Sequence, residues 1–160
     1  MALATSIPNV VVNYKYKMEI DTTPTESTPT FKTLCAGINN ISESLNEQIQ
    51  QYFFLCGQGF ATNYVTGMAP AFTLTGVRVI GDDAQDYIFG FDTKYGTVSA
   101  RETHLRLTRS DGETDEVISA NVTLCNLTDV GGGTTDGSAI SMEIRLNGAP
   151  FEGDAWDSSL

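Results

Sequence analysis

Few of the side chains that build catalytic and metal sites occur in this chain. It has one histidine, His104, predicted on the exposed face of a strand, and three cysteines, Cys35, Cys56 and Cys125. The cysteine spacings match no zinc or redox pattern, so we expect these residues to be small core side chains. No nucleophile-elbow or Walker-type sequence occurs either. The sequence therefore predicts no catalytic residue, no cofactor and no metal site, and we expect the protein not to be an enzyme.

The chain also lacks a long apolar run. No stretch approaches the roughly 20 residues that a membrane-spanning helix needs. The first residues, 1–5, do not combine a basic region with an apolar core, so we predict no signal peptide. An odd number of cysteines is also more typical of a reducing compartment than of a disulfide framework. We expect a protein that is made in a cytoplasm and does not enter a membrane.

Basic residues are scarce. The sequence has 9 lysines and arginines against 20 aspartates and glutamates, which gives a formal net charge of −11. Residues 111–160 contain ten acidic residues and only one basic residue, Arg145. Such a surface repels nucleic-acid phosphates, so the composition argues against a nucleic-acid binder of the usual kind.

Residues 51–88 carry the clearest local signals. An aromatic strand is predicted at 51–56, then a glycine turn, then an alternating strand at 71–80 with Phe72 and Leu74 buried. Gly76 within that strand predicts a bulge or the close approach of another backbone. Asp82 is a favourable N-cap for a short helix over residues 83–89, and Gly90 is expected to end it.

The remaining pattern predicts a mainly β protein. We expect further strands and a hairpin turn at Asn147-Gly148, while residues 39–47 are predicted as loop with at most one helical turn. The predicted strands are 9–20, 31–36, 103–109, 117–127 and 139–146, with loops at 21–30, 110–113 and 129–138. Together these elements indicate a two-sheet antiparallel β-sandwich or partial barrel with one short α-helix. We expect a single domain, 1–160, with an N-terminal arm at 1–8 and an acidic tail at 154–160.

The loop at residues 21–30 is unusually long for a hairpin. Its sequence, DTTPTESTPT, is rich in threonine and proline and cannot continue a strand. Hairpin loops commonly have two to five residues, and longer ones are often functional. A free-standing monomer has little need for such a loop, so we predict that it contacts a partner.

Three stretches of the sequence, taken in the order in which they occur, resemble one known protein family. They are residues 51–66, residues 72–88 (FTLTGVRVIGDDAQDYI) and residues 122–153, in which three glycines lead into SMEIRLNGAPFEG. In their order and spacing they resemble the tail tube (major tail) proteins of long-tailed bacteriophages, especially the non-contractile type. The resemblance covers most of the chain from about residue 30 onward, and the N-terminal part matches only in character.

The resemblance implies a β-sandwich whose inner sheets join into a continuous β-barrel in a hexameric ring. Rings would stack into a hollow tube that conducts DNA and the tape-measure protein, without specific DNA binding. Its other partners would be the tail terminator and the distal tail or baseplate proteins. The tube would be assembled in the host bacterial cytoplasm and found in the virion tail.

Residues for ring stacking are predicted on the long loop and near the C-terminus. The predicted residues are Asp21, Thr22, Thr23, Pro24, Thr25, Glu26, Ser27, Thr28, Pro29 and Trp156.

Three alternative functions stay open on the sequence. A tube subunit of a phage-derived bacteriocin would have the same fold without conducting DNA. A β-sandwich module of a baseplate or receptor-binding fibre would be expected to expose aromatic side chains on its loops, and the chain has a single tryptophan. An enzyme on a sandwich scaffold is the third. Assembly state distinguishes the first from the other two, since a tube subunit polymerises.

Overall fold

The computed structural model describes residues 11–110, 115–154 and 156, and it shows an antiparallel β protein. The strands are β1 (Tyr16–Asp21), β2 (Phe31–Thr33), β3 (Ile38–Ser44), β4 (Gln48–Phe53), β5 (Ala61–Gly67), β6 (Ala71–Val77), β7 (Glu102–Ser110), β8 (Asp115–Thr128) and β9 (Ala139–Glu152). Two short helices, α1 (Asp83–Ile88) and α2 (Phe91–Lys94), lie between β6 and β7.

Seven of these strands form one curled sheet in the order β2-β1-β7-β8-β9-β6-β3, with antiparallel neighbours throughout. The sheet has the shape of a half-barrel. Among the described strands, β4 and β5 pair with each other and with no strand of this large sheet. The predicted mainly β, antiparallel class is therefore confirmed. Of the two predicted arrangements, the half-barrel agrees with the partial barrel and not with two packed sheets, and β4 and β5 form a small second sheet.

The core lies on one face of the curled sheet. Every second side chain is buried from Ala120 to Leu124 in β8 and from Ile140 to Ile144 in β9, as a sheet with one covered face requires. Helix α1 covers part of this face through Ala84 and Ile88, followed by Phe89. The strand residues in the core include Met18, Ile20, Phe72, Leu74, Leu105, Leu107, Val122, Leu124, Ile140, Met142 and Ile144.

Helix α1 begins and ends close to its predicted bounds. The Asp82 carboxylate accepts a hydrogen bond from the Gln85 backbone N–H at 3.1 Å, which confirms the predicted N-cap. Gly90 follows the helix as predicted, but it also serves as the N-cap position of α2. The segment after Gly90, predicted as a plain connection, therefore contains a second helical turn.

The buried Gln85 side chain hydrogen-bonds to three backbone groups on two segments of the chain. Its Nε2 donates to the Ala36 carbonyl at 2.6 Å and to the Val77 carbonyl at 3.3 Å, while its Oε1 accepts from the Val79 N–H at 2.9 Å. The side chain thereby joins α1 to the end of β6 and to the link between β2 and β3.

Gly76 marks a close backbone contact, as predicted. A Cβ at this position would lie 1.9 Å from the Gly37 carbonyl oxygen. The register of the β3–β6 pair also shifts between Ile38 and Asn40, directly beside this contact. Both predicted explanations for the glycine, a bulge and a close approach, apply at this point.

The prediction of a loop at 39–47 was wrong, because Ile38–Ser44 forms strand β3. Its sequence, INNISES, has no alternating apolar pattern, yet it pairs with β6 from Ile38 opposite Gly76 to Ser44 opposite Ala71. Strand propensity depends strongly on the neighbouring strand, so pairing with β6 outweighs the polar composition here.

The predicted hairpin turn at Asn147-Gly148 was also wrong. Strand β9 runs through both residues without reversing. Gly148 adopts a φ of 77°, and the β8–β9 register shifts between Ser119 and Asn121 opposite this point. The glycine therefore lies at a bulge that bends a long strand.

The first strand starts later than predicted. Residues 13–15 form a 3-10 turn in which Tyr14 is exposed, and β1 begins only at Tyr16. Glu19 in this strand is a buried acidic residue, and Lys17 and Arg106 pair with its carboxylate. The predicted N-terminal arm at 1–8 and most of the predicted turn at 110–113 lie outside the described residues.

The prediction that the cysteines are core residues was wrong. Cys35 and Cys56 are exposed and Cys125 is partly exposed. Cys35 lies in the link between β2 and β3, and Cys56 lies at the tip of the β4–β5 hairpin, so neither position faces the core.

We expect Gly76→Ala to lower the free energy of unfolding by about 1–3 kcal/mol, because its methyl group would displace the Gly37 backbone. Gly57→Ala is the matched control, since a Cβ there meets no atom within 4 Å. Urea denaturation of the two variants measures the difference. Equal midpoints would contradict the inferred close contact.

Candidate assembly surfaces

The most prominent surface feature is a hairpin that projects from the large sheet. We call residues 45–69 the arm; it contains β4, β5 and a 3-10 turn at Leu55–Gly57. The arm continues the β3–β6 pair, because the Ala69 N–H donates to the Leu45 carbonyl at 2.9 Å and Asn46 Nδ2 donates to the Ala69 carbonyl at 2.9 Å. The β3–β6 ladder therefore determines where the arm begins.

The arm exposes large apolar side chains to solvent. Every residue of β4 is exposed, and Leu55 at the tip is fully exposed. The exposed large apolar side chains of the arm are Leu45, Ile49, Tyr52, Phe53, Phe54, Leu55, Phe60, Tyr64, Val65 and Met68. Contiguous apolar surface of this kind on a folded chain is typical of a protein–protein contact site.

Apart from Glu47 at its base, the arm also lacks charge in a strongly charged chain. No aspartate, glutamate, lysine or arginine occurs between Glu47 and Arg78. Sequence reasoning predicted an aromatic strand at 51–56 but missed the exposed arm, whose strand β4 runs from Gln48 to Phe53. The absence of charge from residue 48 to residue 77 was the signal that could have identified it.

Little in the arm itself compensates for this exposure. Tyr52 stacks on Phe54 with ring centroids 5.8 Å apart and meets Tyr64 edge-on at 6.1 Å. Gln51 Nε2 donates to Asn63 Oδ1 across the two strands at 3.2 Å. A two-stranded hairpin is marginally stable by itself in water. Burial against another surface would therefore stabilise the arm.

The predicted loop at residues 21–30 is closed at its base by a buried carboxylate. Asp21 Oδ1 accepts from the backbone N–H of Thr23 at 2.9 Å and from that of Thr30 at 3.0 Å. The Thr22 N–H also donates to the Thr30 carbonyl at 2.8 Å. The middle of the loop, residues 25–28, is exposed.

His104 connects this loop to Trp156. Its Nδ1 lies 2.8 Å from Asp21 Oδ2, and its ring stacks on the Trp156 indole with centroids 4.3 Å apart. Trp156 Nε1 donates to the Leu105 carbonyl at 3.4 Å. The structure thus places the loop at 21–30 and Trp156, both predicted as ring-stacking elements, on either side of His104. The sequence predicted an exposed His104. The two contacts were missed because Asp21 and Trp156 lie far from His104 in the chain.

A charged network lies beside this region. Arg106 pairs with Glu19 and, through Nη1, with Asp154 Oδ2 at 2.8 Å, and its guanidinium lies 4.4 Å from the Phe31 ring centroid. Burial raises the pKa of Glu19, but the hydrogen bonds and charges of Lys17 and Arg106 outweigh burial and hold that pKa below its usual value. Glu19 is therefore ionised at neutral pH, and its contribution to stability is lost as the pH falls through its folded-state pKa.

In the part of the chain that the structure describes, no three acidic, histidine or cysteine side chains converge in a way that could hold a metal ion. None of the helices formed by these residues is long and apolar enough to span a bilayer.

Comparison with known proteins finds solved structures that are similar in fold at low sequence identity. No protein-family model and no curated protein matches the chain. A chain from the tail of an empty gene transfer agent (GTA) particle, determined with C6 symmetry, superposes with a TM-score of 0.62 at 12% identity, over 91% of this chain and 100% of that one. A chain of the native GTA virion gives a TM-score of 0.62 at 13% identity, with the same shares covered.

The SPP1 tail tube provides a third match. Its chain superposes with a TM-score of 0.64 at 10% identity, over 94% of this chain and 83% of that chain. At such low identity the likeness concerns the fold, and it extends over nearly the whole molecule. The chain therefore has the fold of chains from the tail of a GTA particle and from the SPP1 tail tube.

Proposed function

We propose that this protein is the structural subunit of a phage or phage-like tail tube. Six copies form a ring, and rings stack into a hollow tube. The observation that carries this proposal is the fold shared with GTA tail and SPP1 tail-tube chains over more than 90% of this chain. The three stretches that resemble tail tube proteins in sequence point to the same function independently.

The sheet of a single copy supports assembly. A curled sheet that ends in β2 and β3 presents two edges, and open edges promote pairing with another chain unless they are covered. A ring of copies covers the edges of each subunit with its neighbours. We therefore propose that the large sheets join around the ring into a continuous barrel.

Two surfaces are proposed for contacts between copies. The first is the loop at 21–30 together with Trp156, which the sequence predicted as the ring-stacking element. The second is the apolar arm. Both contain exposed residues, 25–28 in the loop and the apolar side chains in the arm, so a neighbouring subunit can contact them.

The tube acts passively in this proposal. An acidic lumen repels the phosphate backbone, so DNA and the tape-measure protein pass through without specific binding. The tail terminator and the distal tail or baseplate proteins bind the two ends of the tube. The protein is assembled in the bacterial cytoplasm and resides in the virion tail, and none of its residues performs catalysis.

One observation favours a second candidate. The arm exposes the aromatic patch that a baseplate or receptor-binding module would use, with Tyr52, Phe53, Phe54 and Phe60 among its members. A bacteriocin tube subunit is the third candidate, and it shares the proposed architecture. A receptor-binding module need not polymerise, whereas both kinds of tube subunit must.

Negative-stain electron microscopy at high protein concentration, with a light-scattering mass, tests the proposal. Hollow tubes or six-fold rings are the expected result, with tail-initiator components added where the protein alone stays monomeric. A monomer that remains so in the presence of those components contradicts the proposal and favours the binding module.

We expect Leu55→Glu to prevent tube formation while leaving the stability of the monomer within about 0.5 kcal/mol of the wild type, because the side chain is fully exposed. A carboxylate at the tip must be desolvated if the arm is buried between copies. Val130→Glu is the matched control, since Val130 is also an exposed aliphatic residue but lies outside the arm. Tubes from both variants, counted by microscopy, would exclude the arm from assembly.

Deletion of residues 22–28 should leave a soluble folded protein that no longer makes tubes. Four of the seven deleted residues, 25–28, are exposed, and none of the seven belongs to the β1–β2 ladder, so we expect that pair to remain. Circular dichroism checks the fold and electron microscopy checks assembly. Normal tubes from a folded deletion variant would remove the loop from the proposed stacking contacts.

A further inference from the structure

A cleft runs along the open side of the half-barrel, where the two ends of the large sheet approach each other. We call it the seam groove. It has a volume of 310 Å³ and is lined by Tyr14, Tyr16 and Met18 on one side and by Ile38 and Ile41 of β3 on the other, with Cys35 between them. β2 pairs only with Glu19–Asp21 of β1, so the first half of β1 is left beside the groove.

The seam groove shares an unusual composition with the arm. None of the described residues that line it is charged, and its polar members are asparagines, Asn13, Asn39 and Asn40. The arm likewise combines aromatic and aliphatic side chains with uncharged amides. In a chain of net charge −11, the groove and the part of the arm beyond Glu47 are both uncharged and match each other in chemistry.

The arm cannot fill the groove of its own molecule. The groove lies beside Ile38 and Ile41, at the start of β3, whereas the arm leaves from the other end of that strand, after Ser44. The exposure of every β4 residue also shows that the arm does not fold back onto the sheet.

We propose that the arm tip of one copy inserts its apolar side chains into the seam groove of a second copy. This inference rests on the proposed tube function and adds the surface that receives the arm. Phe54, Leu55 and Phe60 supply the apolar side chains, and the groove asparagines can accept and donate hydrogen bonds to the amides and backbone of the arm. Burial of these side chains against the apolar residues of the groove, among them Met18, Ile38 and Ile41, is favourable by the hydrophobic effect.

This contact joins two different surfaces, so it is heterologous. Each copy then offers one arm and one groove, and the contact repeats until it closes a ring or extends a helical polymer. A contact of this kind has the connectivity that a tube requires, whereas a symmetric arm-to-arm contact would stop at a dimer.

Two native cysteines allow a direct test. Cys56 lies at the arm tip, Cys35 lines the groove, and both are exposed in a single copy. Assembled tubes of the full-length protein are treated with a short bismaleimide and separated on a denaturing gel. We expect a ladder of multimers, because each copy carries both reactive groups of a head-to-tail chain.

The cysteine variants assign the crosslink. Cys35→Ser and Cys56→Ser should each abolish the ladder, while Cys125→Ser retains it and serves as the control. Tubes that give no ladder, a ladder that persists in Cys35→Ser, or crosslinking that ends at dimers would each overturn the arm-to-groove contact and leave the tube proposal intact. Failure to assemble under any condition would overturn both.

Reactivity of Cys35 identifies the occupant of the groove. In the dilute monomer Cys35 should react rapidly with a monofunctional maleimide, and in tubes it should be at least tenfold slower. Equal protection in the monomer would show that a segment of the same chain or a bound small molecule fills the groove, which contradicts the proposal.

A charge at the groove provides a second variant. Tyr14 lines the groove and is largely exposed, so Tyr14→Glu should leave the fold intact and abolish both tubes and ladder. Tyr14→Phe should retain both. Lys15→Glu is the charge control, since Lys15 is exposed and lies next in the chain but does not line the groove. Assembly of Tyr14→Glu with an unchanged ladder would overturn the proposal.

Discussion

The close contact between the Gly37 and Gly76 backbones fixes how β3 lies against β6. The two backbone segments approach so closely that neither glycine position has room for a Cβ. The Gln85 side chain hydrogen-bonds to the backbone of Ala36, Val77 and Val79 around this contact. This contact fixes the start of the β3–β6 ladder and joins it to α1. Because the same ladder leads into the arm at one end and borders the seam groove at the other, the relative placement of both surfaces depends on it.

A single copy exposes both open strand edges and apolar side chains. The sheet curls without closing, its end strands have no further partner among the described strands, and the arm projects with its aromatic side chains in water. In proteins that function as monomers, edge strands are commonly short or carry charged side chains, because open edges and apolar patches promote association. Here β3 extends into the arm instead, and the charge is lowest where exposure of apolar side chains is greatest. These features are consistent with a subunit whose fold is completed by its neighbours.

Sequence reasoning was accurate where a signal is local. Asp82 before a short apolar stripe identified α1, and the alternation around Leu105 identified β7, because capping and side-chain period depend on adjacent residues. It failed where distant residues decide. Strand β3 forms because β6 pairs with it, and Glu19 is buried because Arg106 lies across from it. Of the candidate contact surfaces, the loop at 21–30 was predicted from its length. The arm could be identified only once the structure showed that its aromatic strand is exposed.

Net charge explains why the proposed contacts should be apolar. Copies that each carry a charge of −11 repel one another, and this repulsion grows as rings stack. At physiological ionic strength the Debye length is about 8 Å, so repulsion between well-separated surface charges is largely screened. Apolar burial is not weakened by this screening, and an uncharged arm tip in an uncharged groove contributes no further repulsion at the point of contact. In the proposed tube, an acidic surface would therefore face the DNA while short-range apolar contacts hold the copies together.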